Sequence, residues 1–399
     1  MTDSPFQTLL DYETDTALPK FHVPSIAALI QIDGRVVARS AAGVRRIGES
    51  TPIEHSDLWH LGSCTKAMTA TMVARLVERG VMGFDTPLEM VLPELAARMD
   101  ARMKGATIAH LLSHTSGLPS MTVDLAEYAE FLNVLDGRAN PSDTGKPSRE
   151  SVDRSHAEKF ARRNVDVVGE RWSIATHYLS RPPASNPGAR FEYSNVGYVV
   201  AGALAERRTE KSWEDLLRSE VFTPLGMTTA GFGPPGEAGA QPADQPRAHT
   251  VDEQQRVIAR EPNDPEADNL PAQGPAGTVH MSLADWATFA QDQLDGQLGH
   301  GRLLKPETYQ RLHRPGFNDY AFGWSAYTDG QRPVALLTHG GSNGGWCVHV
   351  RILPGRKAII LTATNAGSLE VCEGMSQMTD TVRAAVRTIL AGEPARIVT

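Results

Sequence analysis

The chain has 399 residues, 41% of them hydrophobic and 22% charged, with a formal net charge of −8. That length and balance suit a folded protein of about two ordinary domain-sized units, and the absence of a Lys/Arg-rich run excludes a nucleic-acid partner. No stretch approaches the roughly 18 apolar residues of a membrane span, so no membrane partner is expected either.

The opening, MTDSPFQTLLDYETD, is acidic and has no basic segment leading into an apolar run, so the expected location is cytoplasmic. The cysteines Cys64, Cys347 and Cys372 are odd in number and widely spaced. They read as reduced thiols, with no structural disulfide expected.

Residues 25–43, SIAALIQIDGRVVARSAAG, place two β-rich runs around Asp33-Gly34, a dipeptide that accepts the positive φ angles of a tight hairpin. Residues 60–80, HLGSCTKAMTATMVARLVERG, then read as a helix opening at Ser63, with Lys66 one turn on. At about 100° per residue, Lys66 shares a side with Ala70, Val73 and Val77, while Arg75, Glu78 and Arg79 fall opposite, where charge is solvated. A lysine on the apolar side loses hydration of its charged form and becomes a usable base near neutral pH. Positions i and i+3 share a face, so Ser63 and Lys66 read as nucleophile and base. The same tetrapeptide also fits a serine N-cap followed by an ordinary helix lysine. Cys64 points about 100° away from Ser63 and reads as structural.

Further along, residues 110–120, HLLSHTSGLPS, look like a turn at a helix end, and His114 has no G-x-S-x-G partner that would make a Ser-His triad. Residues 140–154 read as irregular. In NPGARFEYSNVGYVVAGALAERR the chain turns at Pro187-Gly188 and enters a helix near Ser194 and Asn195. There Tyr193 is either a half-buried aromatic beside a helix cap or a phenol that relays a proton near Lys66, with Asn195 fixing the lysine by hydrogen bonds. Helical patterns cover 196–208 and 212–219, and 234–277 reads as a second irregular stretch rich in proline and acid.

LLTHGGSNGGW follows a strand-like run. It is no P-loop, and its histidine lacks a nearby second ligand, so neither a metal nor a cofactor is expected. Its glycines either serve close packing or let a substrate lie on a strand edge, with the Ser342 N–H joining that of Ser63 as an oxyanion hole. Residues 344–367 pair two more strands around Pro354-Gly355, and a helix is expected over 370–390. The sheet therefore draws on both chain ends, which points to an α/β unit carrying a mainly helical insertion.

In this order, S-x-x-K at Ser63, Y-x-N at Tyr193 and H-x-G at His339 resemble the serine β-lactamase and D-alanyl-D-alanine peptidase superfamily. The nearest pattern is the branch of class C β-lactamases, D-aminopeptidase-like hydrolases and β-lactamase-like esterases, and the likeness spans about residues 25–367. It implies an antiparallel sheet flanked by helices, formed by residues 1–85 and 278–399, a mainly helical domain over 86–277, and an active site between them. By the same resemblance Ser63 is the acylated nucleophile, Lys66 its activator and Tyr193 a second acid/base group, while Asn195 positions. Which of Lys66 and Tyr193 takes the first proton stays open.

His339, Gly340 and Gly341 fall where most β-lactamases carry K-T-G, so the fixed positive charge that meets a substrate carboxylate is missing. The stretch 119–186 exceeds the family's usual connection and is expected to flank the cleft. The expected function is a serine hydrolase that cleaves carboxylic esters through an acyl-enzyme on Ser63. A β-lactamase or a D-amino-acid amidase or peptidase is the alternative, and a non-hydrolytic penicillin-binding sensor or scaffold the alternative of another class. The expected partner is a small-molecule ester, amide or lactam; the oligomeric state is left open.

Overall fold

The computed structural model describes residues 4–121, 125–137, 147–161, 166–252, 254–331 and 334–392. In chain order, helix α1 (Pro5–Lys20) precedes a hairpin of β1 (Ser25–Ile32) and β2 (Arg35–Gly43). Asp33 and Gly34 both take positive φ, 48° and 75°, the turn geometry that matches strand twist. Strand β3 (Leu58–His60) leads through a 3-10 turn (Gly62–Cys64) into α2 (Thr65–Glu78). Helices α3 (Leu125–Leu135), α4 (Arg149–Ala161), α5 (Val167–Leu179) and α6 (Asn195–Thr209) follow. Then come β4 (Gly231–Phe232), the hairpin β5 (Ala248–Val251) and β6 (Val257–Arg260), β7 (Val279–Ser282) and α7 (Leu283–Gln297). The chain closes with β8 (Ser325–Tyr327), β9 (Leu336–Ser342), β10 (Cys347–Leu353), β11 (Ala358–Thr364) and α8 (Leu369–Leu390).

The main sheet has six strands in the order β2-β1-β11-β10-β9-β8, every neighbouring pair antiparallel. It joins the two chain ends, because β1 pairs with β11 in a register that sets Leu29 opposite Leu361. Side chains alternate between faces. Ala28, Ile30 and Ile360 pack on Leu9 and Leu10 of α1 and Val382 and Val386 of α8, whereas Ala27, Leu29 and Leu361 join the larger core with α2 and Trp286 of α7. With both faces covered, β1 and β11 carry unbroken apolar runs, 26–30 and 358–361, and their few polar residues, Ser25, Gln31, Thr362 and Thr364, are buried too.

Helix α2 is buried from Thr65 through Ala74, as a helix enclosed on every side must be. Its C-terminal turn keeps Arg75, Glu78 and Arg79 on the side open to solvent, as expected. Arg75 and Arg79 both clasp the buried carboxylate of Glu220, which needs paired charge to sit inside.

Three expectations are corrected. Cys347 and Cys372 form a disulfide, with Cα atoms 5.5 Å apart, because the β10–β11 hairpin brings the start of α8 back to the start of β10. Of the stretch read as irregular, 140–146 lies outside the described residues, but 149–154 is the first half of α4. Its weak apolar periodicity hid the helix, which shows solvent mostly charge and buries Val152, Lys159 and Phe160. The 234–277 stretch carries the β5–β6 hairpin and three short helical turns. Among the described residues no helix is long and apolar enough to cross a membrane.

Candidate active site

Ser63 sits in the 3-10 turn that ends two residues before Lys66. Gly62 takes φ 47°, and a Cβ there would come within 2.5 Å of the Ser342 nitrogen. Gly341 is as constrained: its Cβ would lie 2.0 Å from the Leu61 carbonyl oxygen. These two glycines let the nucleophile turn press against the end of β9, which places the Ser63 and Ser342 backbones side by side at the floor of one cleft.

Lys66 Nζ lies 3.0 Å from Ser63 Oγ, and the Tyr193 hydroxyl donates to the same oxygen at 2.8 Å. Lys66 is fully buried, and among the described residues no carboxylate comes within ion-pair distance of it. Burial therefore dominates and lowers its pKa from 10.5 to about 7. Burial moves Tyr193 the other way, above its ordinary value, partly opposed by the bond to Ser63. At neutral pH the lysine can thus be an amine while the tyrosine keeps its proton. The Ser63 hydroxyl can then donate to Lys66 and accept from Tyr193 at once.

Asn195 lines the cleft, but among the described residues no hydrogen bond joins it to Lys66. The lysine is held instead by the Ala276 carbonyl at 2.7 Å, a correction to the expected role of Asn195. A backbone acceptor carries no residue-type signature, so sequence could not announce it. Ser194, as expected, caps α6 by accepting the Gly197 N–H.

His114 plays no triad role: it is fully buried, its Nδ1 accepts the Ser194 N–H at 3.0 Å, and its ring lies 4.2 Å from the Tyr193 ring. It packs the phenol into place. Tyr198 adds a second aromatic wall, with Lys66 Nζ 5.6 Å from its ring. Cys64 is buried with its thiol pKa raised by desolvation, consistent with a structural thiol.

His339, Gly340 and Gly341 lie on β9, Gly341 directly against the turn before Ser63. His339 is buried and committed: Tyr320 OH lies 3.0 Å from Nε2 and the Gly340 carbonyl 2.6 Å from Nδ1. Burial, with help from nearby Lys66, lowers its pKa to about 3, so it is a neutral imidazole. The sequence had offered no sign of Tyr320 as its partner. The cleft encloses about 590 Å³, and its wall opposite β9 includes Met121, Tyr128, Val152 and His156. All four come from the long 119–186 stretch, which therefore does flank the cleft. Among the described residues no group of His, Cys, Asp and Glu is placed to hold a metal ion.

A serine flanked by a buried lysine and a tyrosine, at a glycine-lined strand edge of a helix-flanked antiparallel sheet, defines the class: a serine hydrolase. The family model described as Beta-lactamase matches residues 13–374, and the chain belongs to the beta-lactamase family. It is 26% identical over 368 residues to Penicillin-binding protein 4 of Amycolatopsis lactamdurans, covering 88% of this chain and 84% of that protein. It is 30% identical over 225 residues to Esterase EstB of Burkholderia gladioli, covering 56% of this chain and 50% of EstB. The D-amino acid amidase of Ochrobactrum anthropi SV3 shares the fold, with a TM-score of 0.69 at 20% identity over 97% of this chain and 99% of the amidase. The relatives' names divide among penicillin binding, ester hydrolysis and amide hydrolysis.

Proposed function

We propose that the protein hydrolyses carboxylic esters of small or medium acids through an acyl-enzyme on Ser63. Neutral Lys66 takes the Ser63 proton as Oγ attacks the acyl carbonyl, and the oxyanion forms between the Ser63 and Ser342 N–H groups. The proton passes through Tyr193 to the departing alkoxide, and water repeats the sequence on the acyl-enzyme. Lowered lysine and raised tyrosine pKa values support Lys66 as the first base and Tyr193 as the donor. The site sits, in this reading, between the sheet unit of 1–85 and 278–399 and the helical unit of 86–277.

The observation that carries the ester preference is His339. It is neutral and tied to Tyr320, so β9 presents no fixed cation to a substrate carboxylate, and an ester needs none. Arg149 reaches the cleft rim but is largely exposed and lies near Asp153, where its pull is screened. An amidase is the second reading, favoured by one feature: a tyrosine that stays protonated can also serve an amine leaving group.

The test is a panel of nitrophenyl esters of increasing chain length, a chromogenic cephalosporin and D-alanyl amides, compared by kcat/KM with Ser63→Ala as the blank. Esters are expected to lead. A tenfold lead for the cephalosporin or an amide would overturn the ester assignment, and a stable stoichiometric adduct without turnover would make the protein a sensor.

A further inference from the structure

We infer that Asp268 is a positioning residue that holds both oxyanion donors in register, through His60 on one side and Asn343 on the other. This rests on the acyl-enzyme reading of Ser63.

His60 closes β3 and is wholly buried. Its Nδ1 accepts the Gly62 N–H at 3.1 Å, so the neutral ring carries its proton on Nε2. That nitrogen lies 2.8 Å from Asp268 Oδ1, at an angle too bent for a hydrogen bond, so the two are held by a close dipole–charge contact. The same carboxylate oxygen accepts the Asn269 backbone N–H at 2.7 Å and the Asn343 side-chain amide at 3.0 Å. Asn343, the residue after Ser342, is pinned at its other end as well, since its oxygen accepts the Gly345 N–H.

A third arm runs through Asn269, whose side chain donates to the Gly277 carbonyl at 2.9 Å, next to the Ala276 that holds Lys66. The segments bearing the Ser63 N–H, the Ser342 N–H and the lysine anchor thus converge on one buried oxygen. Asp268 is 4% exposed, and among the described residues no Lys or Arg pairs with it. A buried carboxylate is costly unless its donors are fixed, so its worth lies in the geometry it imposes. Displacement of a catalytic donor by about 1 Å can cost on the order of a hundredfold in rate.

The test compares Asp268→Leu, which keeps volume and removes the acceptor, with Asp268→Asn, which keeps an acceptor oxygen. Asn343→Ala, at the cleft edge, serves if the leucine variant fails to fold. Three quantities are read on proteins of wild-type Tm: the acylation rate with a nitrophenyl ester, KM, and the Kd of an arylboronic acid whose tetrahedral Ser63 adduct needs the oxyanion hole. Asp268→Leu is expected to lose about tenfold to a hundredfold in acylation and in boronate affinity together, with KM nearly unchanged. Asn343→Ala should show the same pattern at about tenfold, and Asp268→Asn should recover most of the loss. Normal acylation and boronate binding in the folded variants would overturn the inference, as would an asparagine no better than leucine. A wild type that forms no Ser63 adduct would instead remove the hydrolase reading on which the inference stands.

Discussion

The carbonyl of Ala276 accepts Lys66 Nζ at 2.7 Å from 210 residues away in the chain. One bond to a backbone acceptor suits a base that must change charge, because ammonium and amine both have an N–H to give it. In the neutral form one N–H can keep that bond while the nitrogen lone pair is free to face Ser63.

The first prediction concerns that charge. With the Lys66 pKa at about 7, kcat/KM for an ester should rise with pH through about 7 as the ammonium deprotonates, following a single ionisation. Lys66→Arg should fold and lose most turnover, since arginine stays protonated. Near-normal kcat in that variant would take Lys66 out of the mechanism.

Stability should show the same ionisation, and it too rises with pH. Lys66 binds its proton less tightly folded than unfolded, so the unfolded chain holds more protons between pH 7 and 10.5, and stability rises with pH across that window. Lys66→Met removes the cost. Its gain over the wild type should be largest below pH 7 and shrink toward pH 10, by about 1.4 kcal/mol for each pKa unit the lysine is depressed. Urea denaturation at pH 6 and pH 10 measures it, and a gain independent of pH would mean the lysine is not desolvated as described.

Tyr193→Phe keeps the ring against His114 and deletes only the hydroxyl that bonds Ser63. Turnover should fall by about a hundredfold to ten-thousandfold, with the fold intact. The loss should be greater for amides than for nitrophenyl esters, because a nitrophenolate leaves without a proton. Equal losses on both would confine Tyr193 to orienting Ser63.

Much of this site was legible because its chemistry uses side chains at fixed local spacing. Ser63 and Lys66 sit one helical turn apart, and the apolar heading of Lys66 foretold its burial. The hairpins at Asp33-Gly34 and Pro354-Gly355 were legible for a related reason, since turn residues carry local conformational demands. What sequence hid lies in long-range pairing. The Ala276 acceptor is a backbone oxygen, Tyr320 meets His339 only through tertiary folding, and Cys347 meets Cys372 only after the β10–β11 hairpin returns the chain. Helix α4 was missed because a mostly solvated helix on the cleft wall shows little apolar period.

Close contact between β9 and the nucleophile turn gives another prediction. A methyl at position 341 would overlap the Leu61 carbonyl and approach the Cys64 nitrogen at 3.1 Å, so Gly341→Ala must push β9 away from Ser63. The overpacking should cost about 1–3 kcal/mol, visible as a lower Tm. If the Ser342 N–H is an oxyanion donor, kcat should drop by about a hundredfold in the variant that remains folded, with little change in KM. A variant with lowered Tm and unchanged kcat would mean that Ser342 does not serve the oxyanion.

The last prediction addresses acyl-group choice, where α3 and α4 matter. Val152 is buried in the cleft wall, and Tyr128 beside it bonds His156 at 3.1 Å, so the wall is a packed surface with a fixed shape. Burying a methylene contributes roughly 0.8 kcal/mol, so each carbon an acyl chain gains should raise kcat/KM up to about fourfold until it meets this wall, then stop. Val152→Ala opens the wall and should move that break to longer chains; Val152→Trp fills it and should move the break to shorter ones. Acetate esters, too short to reach it, should be cleaved at nearly wild-type rates by both. The measurement is kcat/KM across nitrophenyl esters from two to ten carbons, with Tm as the check on folding. A break that stays at one chain length in all three proteins would leave 119–186 flanking the cleft without setting its choice of acyl group.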